Sequence, residues 1–288
     1  MESESREVVP ERIELAGRGV TIVGDRYETR VPRGIALLLH GGGQTRHSWS
    51  GSARVLARAG WTTLALDARG HGDSSWADDG DYTAGALVDD LERVVRTLPE
   101  PPVLIGASMG GLTSLLAEGE RAPLARSLVL VDVVPRVERA GVQRILRFMT
   151  DHLDGFASLT EVADAVQAYN PRPTRSTNLE GLKKNVRQRA NGRWYWHWDP
   201  ALVENRMDET TRKVATERLL SAAAHVRVPT LVVRGSKSDV VSAAGVQELL
   251  ALLPHGRYVD VADAGHMVAG DENDAFTSAI VDHLASLA

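Results

Sequence analysis

A chain of 288 residues with 43% hydrophobic and 25% charged residues has the make-up of a globular α/β protein, long enough to carry an inserted segment. A net charge of −5 and a pI near 6.0 give no long-range attraction for nucleic acid or anionic lipid, so neither is expected as a partner. The absence of cysteine excludes disulfides, thiolate nucleophiles and thiolate metal sites. Together with an N-terminus that lacks a secretion signal, and no stretch near the roughly 18 apolar residues of a membrane span, this leads us to expect a cytoplasmic protein.

Residues 11–16 and 20–28 alternate apolar and polar positions around Gly17-Arg18-Gly19, which predicts two antiparallel strands at a sheet edge. Ile35-Ala36-Leu37-Leu38-Leu39 is a continuous apolar run of the kind buried on both faces of a parallel sheet, and it ends at His40-Gly41-Gly42-Gly43. Ser48-Trp49 opens a helix through about Ala59, and a further strand, Thr62–Leu66, follows with the turn Asp67–Ser74. The apolar positions Leu87, Leu91, Val94, Val95 and Leu98 predict a helix closed by Pro99, Pro101 and Pro102.

Next comes Val103-Leu104-Ile105-Gly106-Ala107-Ser108-Met109-Gly110-Gly111, an apolar strand that passes through Gly-x-Ser-x-Gly straight into a helix. A serine on so sharp a turn is held in a strained conformation with its hydroxyl exposed, and only small residues fit two positions to either side. A dinucleotide-binding turn is the competing reading, since Gly106, Gly111 and Asp132 mimic its spacing. It fails at the second glycine, where the Ser108 side chain would block a pyrophosphate.

After the strand Ser127–Asp132 the β/α alternation stops at Val134-Pro135. From there to about Val226 the pattern is helical, over 138–153, over 159–168 behind the capping box Ser158-x-x-Glu161, and over 179–190, with a turn-rich patch at Asn170–Pro173 and no convincing buried strand. The alternation resumes with strand Thr230–Arg234, a helix at 243–253, strand Arg257–Val261 and a last helix from Asp271 to about Leu287. The expected organisation is a core over 1–134, a helical cap over 135–226 and the rest of the core over 227–288. Such alternation argues a mostly parallel, doubly wound sheet.

A serine hydroxyl needs a base to take its proton, and the base needs a third group to orient it. The chain offers both on loops after strand ends, Asp239 in Gly235-Ser236-Lys237-Ser238-Asp239 and His266 in Asp263-Ala264-Gly265-His266. Asp132, also at a strand's carboxyl end, competes with Asp239 for the orienting role. An oxyanion would find the backbone N–H of Met109 and a second donor in the glycine-rich loop, for which Gly42 is chosen. His40 is read as an orienting residue and His71 as a turn residue. The remaining histidines show no spacing typical of a metal site, and no metal or cofactor is expected. In Arg193–Pro200, Trp194, Trp196 and Trp198 share a face if the segment is extended, and they are candidates either for a substrate wall or for glue between cap and core.

On these motifs the chain resembles the α/β-hydrolase superfamily, in its capped, serine esterase-like branch. The motifs are His40-Gly41-Gly42-Gly43 with Trp49, Asp67-x-Arg69-Gly70-His71-Gly72-x-Ser74, Gly106-x-Ser108-x-Gly110-Gly111, Gly235-x-x-Ser238-Asp239 and Gly265-His266. The resemblance implies an α/β-hydrolase fold with Ser108 as nucleophile, Asp239 as acid, His266 as base, and Gly42 and Met109 as oxyanion donors. Ser108 separates the chain from the superfamily's dehalogenases and epoxide hydrolases, which carry Asp at the elbow. The expected activity is cofactor-free hydrolysis of a small or medium carboxylic ester through an acyl-enzyme on Ser108. Lactone or C–C bond hydrolysis and haloperoxidase or perhydrolase chemistry use the same triad, and a ligand-binding receptor on a retired hydrolase fold is the alternative of another class. The sequence shows no protein partner and no oligomeric state.

Overall fold

A computed structural model describes residues 8–169, 179–204, 208–266 and 273–287. The expected turn at 170–173 and the start of the last helix lie outside the described residues. Eight strands form one sheet in the order β1-β2-β4-β3-β5-β6-β9-β10. They are β1 (Glu11–Ala16), β2 (Thr21–Tyr27), β3 (Ile35–Leu39), β4 (Thr62–Leu66), β5 (Val103–Ala107), β6 (Ser127–Val131), β9 (Thr230–Gly235) and β10 (Gly256–Val261). β2 runs antiparallel to both its neighbours, and every pairing from β4 to β10 is parallel. The apolar runs read as doubly buried strands are so because each alternates between two cores. Leu37 and Leu104 face the layer of α2 (Ala84–Arg96), α3 (Met109–Arg121) and α8 (Ala243–Leu250), while Leu38 and Ile105 face that of α1 (Ser50–Arg58) and α9 (Thr277–Ala285).

Between β6 and β9 the described chain adds no strand to this sheet. α4 (Arg139–Thr150) and α5 (Leu159–Tyr169) match the helical periodicity, and the Ser158 hydroxyl accepts from the Glu161 N–H, as the capping box requires. The helix expected over 179–190 is a difference. Only a short 3₁₀ segment, Glu180–Asn185, forms, followed by a hairpin of β7 (Val186–Gln188) and β8 (Trp194–Trp196). Leu179, Leu182 and Val186 repeat at helical spacing, but Asn191-Gly192, with Gly192 at φ 77°, reverses the chain and lets β7 pair with the aromatic β8.

Phe148, Phe156, Val162, Leu182, Val186, Trp196 and Trp198 give this segment a core of its own. The short α6 (Ala201–Glu204) follows, and then α7 (Glu209–His225). α7 lies against α3 so closely that a Cβ on Gly119 would come within 2.3 Å of the Ala222 carbonyl oxygen. Ala222 and Ala223 are buried in the α2/α3/α8 layer, so the end of α7 packs with the helices of the sheet.

Candidate active site

β5 delivers Ser108 to the carboxyl edge of the sheet, where the chain turns at once into α3. Ser108 has φ 45° and ψ −112°, a left-handed conformation costly for any residue with a Cβ. Surrounding contacts impose it. A Cβ on Gly106 would lie 2.4 Å from the Gly110 carbonyl group, and one on Gly110 would lie 2.5 Å from the Leu39 carbonyl oxygen, so only glycines allow strand and helix to approach this closely. The Met109 N–H is the first of α3, and among the described residues it has no acceptor, being one of the donors every helix start leaves open.

β6 ends beside it. Ala107 pairs with Val131, the Ser108 N–H donates to the Val131 carbonyl at 3.0 Å, and Asp132 therefore leaves its strand at the same level, also at positive φ (50°). Its side chain is buried at 4% exposure and saturated with donors. Oδ1 accepts from the Gly235 N–H at 3.1 Å, while Oδ2 accepts from the Ser238 hydroxyl at 2.7 Å and from His266 Nδ1 at 2.6 Å. A carboxylate only accepts, so Nδ1 carries the proton and Nε2 keeps its lone pair.

The expectation that Asp239 orients His266 is corrected by this geometry. The Asp239 carboxylate is 42% exposed and accepts two hydrogen bonds from the Arg144 guanidinium, Nε at 2.8 Å and Nη2 at 2.9 Å, which hold its pKa below the ordinary range. The reason lies one residue earlier, at Ser238. Its hydroxyl donates to Asp132 and accepts from the Val240 and Val241 N–H groups, a compact turn that commits the inner side of the loop to Asp132 and leaves Asp239 to α4. The sequence reading names Ser238 only as a motif position and does not name Arg144. A hydroxyl one position before a candidate acid was the available signal.

The glycine-rich loop after β3 lies against the elbow, since a Cβ on Gly41 would be 3.5 Å from the Ser108 Cβ. Three buried histidines surround that loop. His40 donates from Nδ1 to the Gly41 carbonyl at 2.8 Å and accepts the Ala68 N–H at Nε2. His71 accepts the Gly43 N–H at Nε2 at 3.2 Å and donates from Nδ1 to the Arg69 carbonyl. His197 accepts the Gly72 N–H at Nδ1 and donates from Nε2 to the Gly43 carbonyl. Burial lowers all three pKa values, His71 to about 3, so the rings are neutral and each proton position is fixed by its partners. Arg46, bonded to Asp25, Asp67 and Asp73, ties the same loop to the 67–74 turn.

The Gly42 N–H donates to no described residue, and the peptide carrying it is pinned from its other end. The Gly41 carbonyl accepts from His40 Nδ1 and from the Gln44 N–H, and in a trans peptide the N–H points opposite to that carbonyl. Above it, the Met149 sulfur of α4 is 3.9 Å from where a Gly42 Cβ would be. Of the three tryptophans, Trp196 and Trp198 stack on each other at 4.8 Å and pack against Phe148 in the core of the 135–204 segment, whereas Trp194 is half-buried beneath the Lys183 ammonium. A cavity of about 40 Å³ behind the elbow is lined by Leu39, Leu91 and Met109 but by neither Ser108 nor His266. Among the described residues no cluster of His, Asp or Glu is arranged to hold a metal ion, and no helix is long and apolar enough to cross a membrane.

Residues 37–272 match the model of the family described as alpha/beta hydrolase fold. Esterase Rv0045c of Mycobacterium tuberculosis is 31% identical over 254 residues, covering 86% of this chain and 80% of that protein. The 3-hydroxybutyrate-oligomer hydrolase of Cupriavidus necator is 29% identical, covering 81% and 82%. Among solved structures, that of the same mycobacterial esterase superposes with a TM-score of 0.73 at 27% identity over 97% of this chain and 91% of the other. E-2-(acetamidomethylene)succinate hydrolase reaches a TM-score of 0.79 at 22% identity over 96% and 99%, a likeness of fold. With the family match spanning strand, elbow and histidine loop alike, the chain belongs to the alpha/beta hydrolase family.

Proposed function

We propose that this hydrolase cleaves a small or medium carboxylic ester through an acyl-enzyme on Ser108, with His266 as general base and Asp132, in place of Asp239, as the residue that orients it. The observation that carries the reading is the 2.6 Å bond between His266 Nδ1 and a fully bonded, buried Asp132 on the strand next to the strained Ser108. In this mechanism His266 Nε2 takes the Ser108 proton as Oγ attacks the ester carbonyl, and the oxyanion rests on the Met109 and Gly42 amides. His266 then passes that proton to the leaving alcohol. In the second half it takes a proton from water, whose oxygen attacks the acyl carbon, and returns the proton to Ser108 Oγ as the acid departs.

Relatives named as an esterase and as a hydroxybutyrate-oligomer hydrolase support an ester as substrate. The Met149 sulfur over the glycine loop, backed by Phe148, Trp196 and Trp198, supports an apolar acyl group, with the tryptophans stiffening the wall from behind. The test is hydrolysis of p-nitrophenyl esters of increasing acyl length by the wild type and by Ser108→Ala. Turnover that peaks at one length and vanishes in a folded Ser108→Ala protein is expected, and turnover retained in that variant refutes the mechanism. A wild type that is labelled by a fluorophosphonate at Ser108 yet inert to every ester would direct the same nucleophile to lactones or C–C bonds.

A further inference from the structure

His197 belongs to the segment that stands off the sheet, one residue after β8, yet both its ring nitrogens are spent on the core. Nδ1 accepts the Gly72 N–H at 2.8 Å and Nε2 donates to the Gly43 carbonyl at 3.3 Å. The ring is 2% exposed and stands in line with two more, 5.8 Å from His71, which is 5.0 Å from His40. The line has an order. His40 fixes the Gly41–Gly42 peptide, His71 fixes the Gly42–Gly43 peptide through its N–H, and His197 fixes the Gly43–Gln44 peptide through its carbonyl. Gly43 has φ 76°, so without these bonds the three consecutive glycines at 41–43 would leave the loop free to rotate. Two of the three clamps come from the core's own loops, and the third comes from the inserted segment.

We propose that His197 is a positioning residue for hydrolysis, through which the β7–β8 hairpin holds the Gly42 amide in line for the oxyanion. The proposal rests on the reading of Gly42 as an oxyanion donor. It assigns the inserted segment a part in turnover besides that of covering the site. The geometry separates this part from docking in general, because the hairpin is also tied to the core by bonds that make no direct contact with the glycine loop. Arg187 pairs with Asp73 at 2.6 Å, and the Asp199 N–H donates to the Gly70 carbonyl at 2.9 Å.

Two substitutions divide the ring's duties. Asn at 197 places an oxygen near Nδ1 and keeps the Gly72 bond, but its side chain stops short of Gly43. Gln is long enough to return an N–H to the Gly43 carbonyl. His197→Asn is expected to lower kcat on a p-nitrophenyl ester roughly tenfold, a part of the 10²–10³ that deleting an oxyanion donor costs, with KM within about twofold. A trifluoromethyl ketone, whose adduct with Ser108 carries the oxyanion, should lose affinity in proportion to kcat/KM. His197→Gln should stay within about threefold of wild type in kcat, and Arg187→Ala should leave kcat unchanged.

Equal losses in the Asn and Gln variants, a change confined to KM, or a loss in Arg187→Ala as large as in His197→Asn would each overturn the proposal. Should His197→Asn not fold, His197→Gln alone decides, since a folded Gln variant with kcat down tenfold and KM unchanged refutes it. Fluorophosphonate labelling and ester turnover of the wild type separate the two levels. If they fail, the serine mechanism is at fault. If they hold and His197→Asn turns over normally, the assignment of His197 is wrong.

Discussion

Replacing Asp132 by Asn tests the site at its most buried point. Asn has the same shape and tolerates the left-handed backbone at φ 50°, so the turn out of β6 should survive and any loss should come from hydrogen bonding. One orientation of the amide keeps its oxygen on the Gly235 N–H and turns Nδ2 toward both Ser238 and His266 Nδ1. Nδ2 only donates, so the imidazole must offer a lone pair at Nδ1 and carry its proton on Nε2, where it is useless as a base toward Ser108. The flipped amide keeps His266 correct but sets Nδ2 against the Gly235 N–H, leaving two buried donors without acceptors at about 1–3 kcal/mol each. The same change in a serine-protease triad lowers kcat by about 10⁴, or ~5.5 kcal/mol of transition-state stabilisation, and that is the loss expected here. Asp239→Asn breaks only an exposed pair with Arg144, worth about 0–1 kcal/mol, and should keep kcat within threefold. The assay is p-nitrophenyl ester hydrolysis by both variants, with thermal unfolding as the check on folding. A 10⁴ loss in Asp239→Asn with less than a tenfold loss in Asp132→Asn would refute the assignment.

Ser238→Ala removes one of the three donors to Asp132 and opens the turn that keeps Asp239 outward, and about a tenfold fall in kcat is expected from steady-state kinetics. Trp196→Ala should destabilise the protein by about 3–5 kcal/mol in denaturant unfolding, because the side chain is stacked and 5% exposed. A change in acyl-length preference without loss of stability would instead make it a direct substrate wall. Acid should weaken the fold through the buried histidines. Burial puts His71 at about 3 and His283 at about 4, and lowers His40 and His197, all below the unfolded value of about 6.5. The unfolded chain therefore takes up protons first. Their contribution to stability is whole above about pH 6.5 and drains as pH falls toward 4 and then 3, by up to about 1.4 kcal/mol per pH unit for each histidine. Urea midpoints at pH 7.5, 6 and 5 measure this, and equal midpoints would show that the rings are not held neutral.

The elbow and the sheet were legible because their chemistry is local. Gly106 and Gly110 announce a close approach that no other residue permits, and the doubly apolar runs of β3 and β5 announce a strand covered on both sides. Which carboxylate meets His266 was less legible, since Asp132 and Asp239 both follow parallel strands and differ only in what surrounds them. Asp132 finds Gly235, Ser238 and His266 at once, whereas Arg144 draws Asp239 outward from α4, 95 residues away in the chain. No periodicity encodes that competition. The β7–β8 hairpin was missed for a related reason, that its apolar residues fall at helical spacing while their partners come from the tryptophan run across the Asn191-Gly192 turn.

His197 shows where such reading reaches its limit. A histidine between two tryptophans looks like part of an aromatic wall, and Trp196 and Trp198 do turn into the core of their own segment. The alternation that buries the tryptophans on one side sends His197 to the other, toward the glycine loop. What marks it out is the pair of partners it meets, a donating backbone N–H on one nitrogen and an accepting carbonyl on the other, which fixes the proton and makes the ring a rigid strut. A lysine or arginine there could not accept from Gly72, and a serine or threonine could not span the distance to both Gly43 and Gly72. Histidine presents an acceptor and a donor on opposite sides of one rigid ring, and so joins the hairpin to both Gly72 and the glycine-rich loop while staying neutral beside two other imidazoles. The same burial that makes that strut rigid also leaves it vulnerable to acid.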